Sequence, residues 1–453
     1  MKSRIDVLNL EWTSGSSRDR ETATLICNYL RYMGYSVEEK SIFNYYYYIN
    51  KYKPRLYFNT APIGALINMK AYKYANQKGI KSVTTSAEGN FTGDDLRISN
   101  IFWGWNKEKE LLEEYNLLWS KRSRDLVVKI HPELKSRIKV SGGVGADRYK
   151  IVPQIDRKKF LKKYGMEQYQ KIIGVGCWDF GIYYTNHARH NQLPSTYADY
   201  LEKLREARDF FNNILNQIIE NHTDILFLLK EHPGVMQRGI DSGIADTEKF
   251  SNVLILQNEE PIMDCISVSD FWVHFESTTA MEAWLMGKQT CMINPAGLDF
   301  PRTTVHKGNP NYATAKEFQN AIKYFYQKGV LPGFEALKNK RKKIIKGVYE
   351  WDDGLNHVRV GNQIITVLNK MDEQPVKRNE TIHFILCFYQ SFKWLVLPFF
   401  RYIPFIKIAD YSLRTNFNQE NLKVFSEIRL SQQKNYYRKL GLSKQKLLKV
   451  YAE

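Results

Sequence analysis

Cysteine is scarce, with five in 453 residues. Cys27, Cys177, Cys265, Cys291 and Cys387 are widely scattered, with no C-x-x-C pair and no His/Cys spacing that would grip zinc. That excludes a disulfide scaffold and a zinc module, and reduced thiols are expected. Acids are also in deficit, 48 against 66 lysines and arginines, for a formal net charge of +18. Such a surplus favours an anionic partner: nucleic acid, an acidic membrane surface, or a phosphorylated or carboxylated substrate. No homeodomain, zinc-finger, RNA-recognition or basic-zipper pattern accompanies the lysines, so nucleic acid is not expected as a partner. The start, MKSRIDVLNLEW, has no charged region followed by an apolar stretch and a cleavage site, so a cytoplasmic location is expected. No D-x-D metal pattern stands at a strand end, since Asp94-Asp95 and Asp352-Asp353 are adjacent pairs.

What is present is a chain too long for one ordinary core, which predicts two domains and an appendage. Hydrophobic residues at 43% and charged residues at 25% place it among globular chains rather than disordered ones. RIDVLNLEW reads as a strand, ETATLICNYLRYMGY as a helix stopped at Gly34, and SVEEKSI and PRLYFNTAP as strands. A second helix, IGALINMKAYKYANQKG, then feeds the strand IKSVTTSAEG. After a longer stretch, RIKVSGGVGADRYKI is a strand that breaks at glycines. The pattern restarts with KIIGVGCWDF, the long helix TYADYLEKLREARDFFNNILNQIIENH, and the strands DILFLLKEHPGV, NVLILQNEEP, DFWVHFESTT and QTCMINPAG. Strand–helix alternation of this kind argues parallel, doubly wound sheets whose strand-end loops hold the ligand. Two Rossmann-like domains facing a cleft are expected, with the boundary near 151–170. WDDGLNHVRVGNQI, with Asp353, Gly354, His357 and Arg359, reads as the opening of a helix returning toward the first domain. The tyrosine run Tyr45–Tyr48 is expected at a domain surface.

The segment 381–408, TIHFILCFYQSFKWLVLPFFRYIPFIKI, is crowded with aromatics. His383, Lys393, Pro398, Arg401 and Pro404 interrupt it, so it falls short of the ~20 clean apolar residues of a spanning helix. An interfacial anchor with basic residues for acidic headgroups is expected, the alternative being helices packed on the body. The basic tail that follows is expected to be helical and to share that surface.

Two strand ends carry the chemistry. LLKEHPGV leaves Lys230, Glu231 and His232 at the end of a buried strand, with Pro233 stopping it. An imidazole and an ammonium there suit a phosphate leaving group. HFESTTAMEAWLMG sets Ser277, Thr278 and Thr279 where a strand gives way to a helix, so hydroxyls and free N–H groups would meet an anion. Plain helix capping is the alternative use of such residues. Glu282 follows a turn later, as a cap or as a partner for ribose hydroxyls. His131-Pro132 in KIHPELKSRI repeats the His-Pro pair but lacks a hydroxyl-rich partner and reads as a helix-start turn.

Together, KEHP and the S-T-T-x-x-E helix resemble the HP and S motifs of GT-B glycosyltransferases of bacterial surface polysaccharide biosynthesis. That group includes capsule Kdo transferases and polysialyltransferases and, more distantly, the glycerophosphotransferases that polymerise teichoic acids. The resemblance implies a GT-B-like α/β fold: an acceptor domain over 1–155, a nucleotide-sugar donor domain over 156–375, and a helical, membrane-associating extension over 376–453. It implies that Lys230, His232, Pro233, Ser277, Thr278, Thr279 and Glu282 form the donor site, with His232, Ser277 and Thr278 on the donor phosphate and Glu282 on its ribose. SVTTSAEGN ends at Glu88-Gly89, which resembles the motif supplying the general base, so Glu88 and His232 are the implied catalytic residues. RIKVSGGVGADRYKI resembles the segment closing the first domain in such proteins, although the usual asparagine and proline after the glycine are replaced; Gly142 and Asp147 are its matching positions. The expected donor is a nucleotide-sugar, first a CMP-linked Kdo- or sialic-type sugar, used without metal or other cofactor. The expected partners are a glycan or glycolipid acceptor and the inner membrane surface. A CDP-glycerol or CDP-ribitol phosphotransferase, or a non-catalytic sugar-phosphate-binding protein, are the alternatives.

Overall fold

A computed structural model describes residues 4–11, 17–60, 66–86, 89, 102–103, 106, 108–177, 196–232, 244–245, 249–257, 259–275, 277–294, 304–371, 385, 388 and 428–451. The chain divides into two units, one built of 1–90, 94–152 and 346–453, the other of 91–93 and 153–345.

The first unit is built on strands β1 (Val7–Glu11), β2 (Val37–Ser41), β3 (Leu56–Asn59), β4 (Lys81–Thr85), β5 (Tyr115–Leu118) and β6 (Ile138–Val140), all parallel in the order β2-β1-β3-β4-β5-β6. Successive side chains along a strand point to opposite faces, and both faces are covered. Val7, Phe58, Val83 and Leu117 pack under helix α1 (Ser17–Met33), through Leu25, Ile26, Tyr29 and Leu30. Leu8, Leu10 and Tyr57 pack the other way, on α2 (Tyr45–Tyr52) and α3 (Leu66–Gln77). The tyrosine run thus opens α2, with Tyr45 in the core and Tyr46 exposed. Gly34, at φ +108°, ends α1 with its N–H on Leu30 O. Helix α4 (Lys121–Ile130) ends at His131, and Pro132 starts the 3₁₀ turn after it, as the His-Pro pair read in the sequence. The short α5 (Arg148–Ile151) closes this first run.

The second unit holds β7 (Lys171–Gly176), β8 (Ile225–Lys230), β9 (Val253–Leu256), β10 (Phe271–His274), β11 (Gln289–Ile293) and β12 (Asn311–Tyr312), again all parallel, in the order β12-β11-β10-β7-β8-β9. Helix α6 (Arg157–Lys163) precedes the sheet, α7 (Thr196–Asn221), α8 (Ile262–Val268) and α9 (Thr279–Leu285) lie between its strands, α10 (Ala315–Lys328) follows it, and α11 (Lys338–Tyr349) spans the division between 345 and 346. ILFLLK in β8 is buried throughout, the near-continuous apolar run of a strand covered on both faces.

The expected boundaries need correcting. The run 346–371, placed with the second domain by the sequence, belongs to the first unit, because α12 (Asn356–Asn369) buries Val358, Val360, Ile364 and Leu368 against α1. The helices approach so closely that a Cβ on Gly361 would lie 2.3 Å from the Tyr29 ring. Asp147 fixes the start of α12: its buried carboxylate accepts from His357 N (2.7 Å), His357 Nδ1 (2.8 Å) and Asn356 Nδ2 (3.0 Å). Arg359 is clamped by Asp353 at 2.9 and 2.6 Å and stacks on Trp351. The helices α13 (Leu430–Lys439) and α14 (Lys444–Leu447) also belong to this unit rather than to a separate extension. Tyr437 and Leu447 are buried beside Tyr29, and Tyr437 Oη lies 2.6 Å from His357 Nε2. Of the aromatic segment 381–408 only Ile385 and Phe388, both exposed, fall among the described residues. No described helix is long and apolar enough to cross a membrane.

Candidate functional site

In the second sheet the chain runs β7, β8, β9 to one side, then returns to place β10, β11, β12 on the other. The strand order therefore reverses between β7 and β10, and the carboxyl edge at such a reversal is where open α/β sheets hold ligands. The register aligns Lys230, Gly176 and His274 across β8, β7 and β10. Both predicted motifs leave this one edge, on strands roughly 10 Å apart.

The S-T-T turn is held by a chain of hydrogen bonds that starts in the core. Trp272 is fully buried, and its Nε1–H donates to Thr279 Oγ1 at 3.0 Å. Thr279 Oγ1 donates to Ser277 Oγ at 3.0 Å, and Thr279 N–H donates to the same oxygen at 3.3 Å. With two donors filling its lone pairs, the Ser277 hydroxyl is left to give its own proton away, and such chains polarise their last member. Thr278 precedes α9, yet its side chain makes no capping bond. The capping alternative thus does not describe Thr278. The helix has two turns, so the hydroxyls contribute more here than its dipole does. One carboxylate oxygen of Glu282 is buried without a hydrogen-bond partner, and a turn of helix separates it from Thr278.

Sequence reasoning missed two supports of this turn. The buried His274 accepts from Ser277 N–H at 3.2 Å through Nδ1, which puts the ring proton on Nε2. Burial pulls its imidazole down to about 4, with Asn309 opposing weakly, so it stays a neutral acceptor. Gly176 leaves the room: a Cβ there would lie 2.7 Å from Thr279 Oγ1 and 2.9 Å from Trp272 Nε1. His274 stood within the apolar strand pattern and Gly176 within KIIGVG, and only the pairing of β7 with β10 makes them partners.

At the end of β8, His232 is exposed and Glu231 is buried. The Lys230 ammonium is buried and donates to Gln257 O, beyond β9 and away from β10. Burial holds its pKa below the usual lysine range, and Glu259 and Glu260 act against that shift. The structure thus sets His232, Ser277, Thr278, Thr279 and Glu282 on the edge beside β7 and turns the Lys230 charge elsewhere. Pro233 and Glu88 lie outside the described residues. Gly89 packs against the Trp119 ring, and Asp147 and Arg359 serve the packing of α12.

The first sheet reverses between β1 and β3, and there the sequence reading missed Glu11. Its buried carboxylate accepts from Asn9 Nδ2 (2.8 Å), Thr60 N (2.8 Å) and Thr60 Oγ1 (2.9 Å). Burial, with the Asp19 charge adding to it, pushes the Glu11 carboxyl well above the usual carboxylate range. Among the described residues no three His, Cys, Asp or Glu side chains gather to hold a metal ion.

Two parallel six-stranded sheets, each with its own helices, make this a two-domain α/β chain of GT-B type. A solved structure of the wall teichoic acid polymerase TagF matches with TM-score 0.52 at 13% identity, over 82% of this chain and 90% of that one. A UDP-N-acetylglucosamine 2-epimerase matches with TM-score 0.51 at 10% identity, over 83% of this chain and all of the other. At these identities the likeness is one of fold. No protein-family model and no curated protein matches the sequence.

Proposed function

We propose that the chain is a glycosyltransferase that takes a sugar from a nucleotide-activated donor, first a CMP-linked Kdo- or sialic-type sugar. The observation that carries this reading is the Ser277-Thr278-Thr279 turn at the strand-order reversal of the second sheet, with His232 leaving the same edge. In this reading the Ser277 and Thr278 hydroxyls and His232 donate to the donor phosphate, and Glu282 accepts from the ribose. Glu88 removes the proton of the acceptor hydroxyl as its oxygen attacks the anomeric carbon. The bond from that carbon to the phosphate oxygen breaks, and the same donors stabilise the charge left on the nucleotide. No metal is needed for these steps. The acceptor is a surface polysaccharide or lipid-linked glycan at the inner membrane face, a placement to which the net charge of +18 lends support.

Transfer of glycerol phosphate or ribitol phosphate from a CDP donor is a second reading, favoured by the likeness in fold to the teichoic acid polymerase. Titration with CMP, CDP, UDP and GDP tests the shared part. Selective cytidine-nucleotide binding that His232→Ala removes supports both readings, and the absence of any nucleotide binding defeats them. Release of CMP from a CMP-sugar or from CDP-glycerol then separates the two.

A further inference from the structure

The outer side of the last two helices has a composition that the donor site does not use. Ile428, Gln433, Tyr437 and Leu447 are buried in the first unit, which turns the opposite side of α13 and α14 to solvent. Along these helices and their flanks Arg429, Lys434, Arg438, Lys439, Lys444, Lys446 and Lys449 are all exposed, and no acid lies between Ile428 and Tyr451. Lys434 of α13 and Lys444 of α14 both stand over the Tyr32 ring, at 5.7 and 5.0 Å, so the two helices bring one cation each to the same spot beside α1. Leu440, Leu448 and Tyr451 are exposed among them. Scattered exposed apolar residues need no explanation. Set in a basic segment that has no acid of its own, they match the two-part demand of an anionic interface, which is charge for headgroups and apolar surface for the layer beneath.

We propose that the outer face of α13 and α14 docks the protein on an anionic lipid surface. Its basic side chains meet the headgroup phosphates, and Leu440, Leu448 and Tyr451 enter the headgroup layer. A nucleic acid would engage the lysines but would leave the two leucines without a role. The proposal deepens the membrane-face placement made above and shifts its weight from 381–408 to a folded surface of the first unit. Vesicle binding reads it without any turnover, so its failure and the failure of the donor-site reading are separate events.

The test is co-sedimentation of the full chain with phosphatidylcholine vesicles with and without phosphatidylglycerol. Binding is expected only with the anionic lipid and should fall as salt rises. Lys439→Glu, Lys446→Glu and Lys449→Glu together are expected to weaken it at least about a hundredfold, at roughly fivefold per charge. Leu448→Ser with Tyr451→Ser, which leaves charge untouched, should weaken it about tenfold or more. Reversing Lys338, Lys340 and Lys343 on α11 applies the same charge change elsewhere and should leave binding within about threefold. The proposal is overturned if the α13–α14 variants bind as the parent does, if the α11 variant loses as much, or if RNA binds the face while vesicles do not.

Discussion

Thr278 and Ser277 are adjacent hydroxyls with opposite structural burdens, and replacing each by alanine separates ligand binding from folding. A threonine that caps a helix costs about 0.5–2 kcal/mol when truncated. Thr278 makes no capping bond, so Thr278→Ala should change stability by less than about 0.5 kcal/mol, a shift of under about 2 °C in the melting of a domain this size. Ser277 accepts from Thr279 N–H and Thr279 Oγ1. Ser277→Ala orphans both donors and should cost about 1–2 kcal/mol, or roughly 2–8 °C. Each hydroxyl that donates to a charged phosphate oxygen is worth about 1.5–3 kcal/mol, so either variant should weaken nucleotide binding by roughly 10- to 150-fold. Scanning fluorimetry and isothermal titration with CMP measure the two quantities on the same preparations. Parent-like CMP affinity in Thr278→Ala, joined to a fall in melting temperature of more than about 3 °C, would refute the reasoning and return the turn to helix capping.

Other consequences reach beyond that turn. His274 is fully buried, with its imidazole pulled from 6.5 to about 4; the unfolded chain therefore binds a proton that the folded one refuses, and stability is lost as pH falls from about 6.5 toward 4. The loss is of order 3 kcal/mol, and equal slopes of melting temperature against pH in parent and His274→Gln would count against it. Glu88→Gln should abolish transfer while CMP affinity stays within about threefold, or ~0.65 kcal/mol, and an active variant removes Glu88 from the role of base. A chain ended at Lys377 should fail to fold its first unit, because Tyr437 and Leu447 are part of that core; a soluble product with parent-like circular dichroism would contradict this packing.

Much of the architecture is legible in the sequence because parallel strands buried on two faces leave apolar runs between turn residues. β1, β3, β4, β7, β8 and β10 all fall on stretches read as strands. β5 and the two-residue β12 escaped, since YNLL follows an acidic stretch without a break and NY is too short to show a period. Strand order is invisible locally, and it is the order β10-β7-β8 that turns two motifs 45 residues apart into neighbours. The chemistry at KEHP could be read by type but not by direction. The strand pattern says that Lys230 ends a buried strand, and only β9 beside it shows that its ammonium bonds Gln257 O. Tyr437 and Leu447 lie in a stretch whose charge dominates its composition, so their burial could be found only from what packs on them.

If the carboxyl edge between β7 and β10 receives the phosphate of a nucleotide donor, a crystal soaked with CMP will show it. Phosphate density is expected within hydrogen-bond distance of the Ser277 and Thr278 hydroxyls and of His232, with the ribose turned to Glu282. Ordered CMP bound anywhere else, or saturating CMP that leaves this edge empty, would contradict this placement.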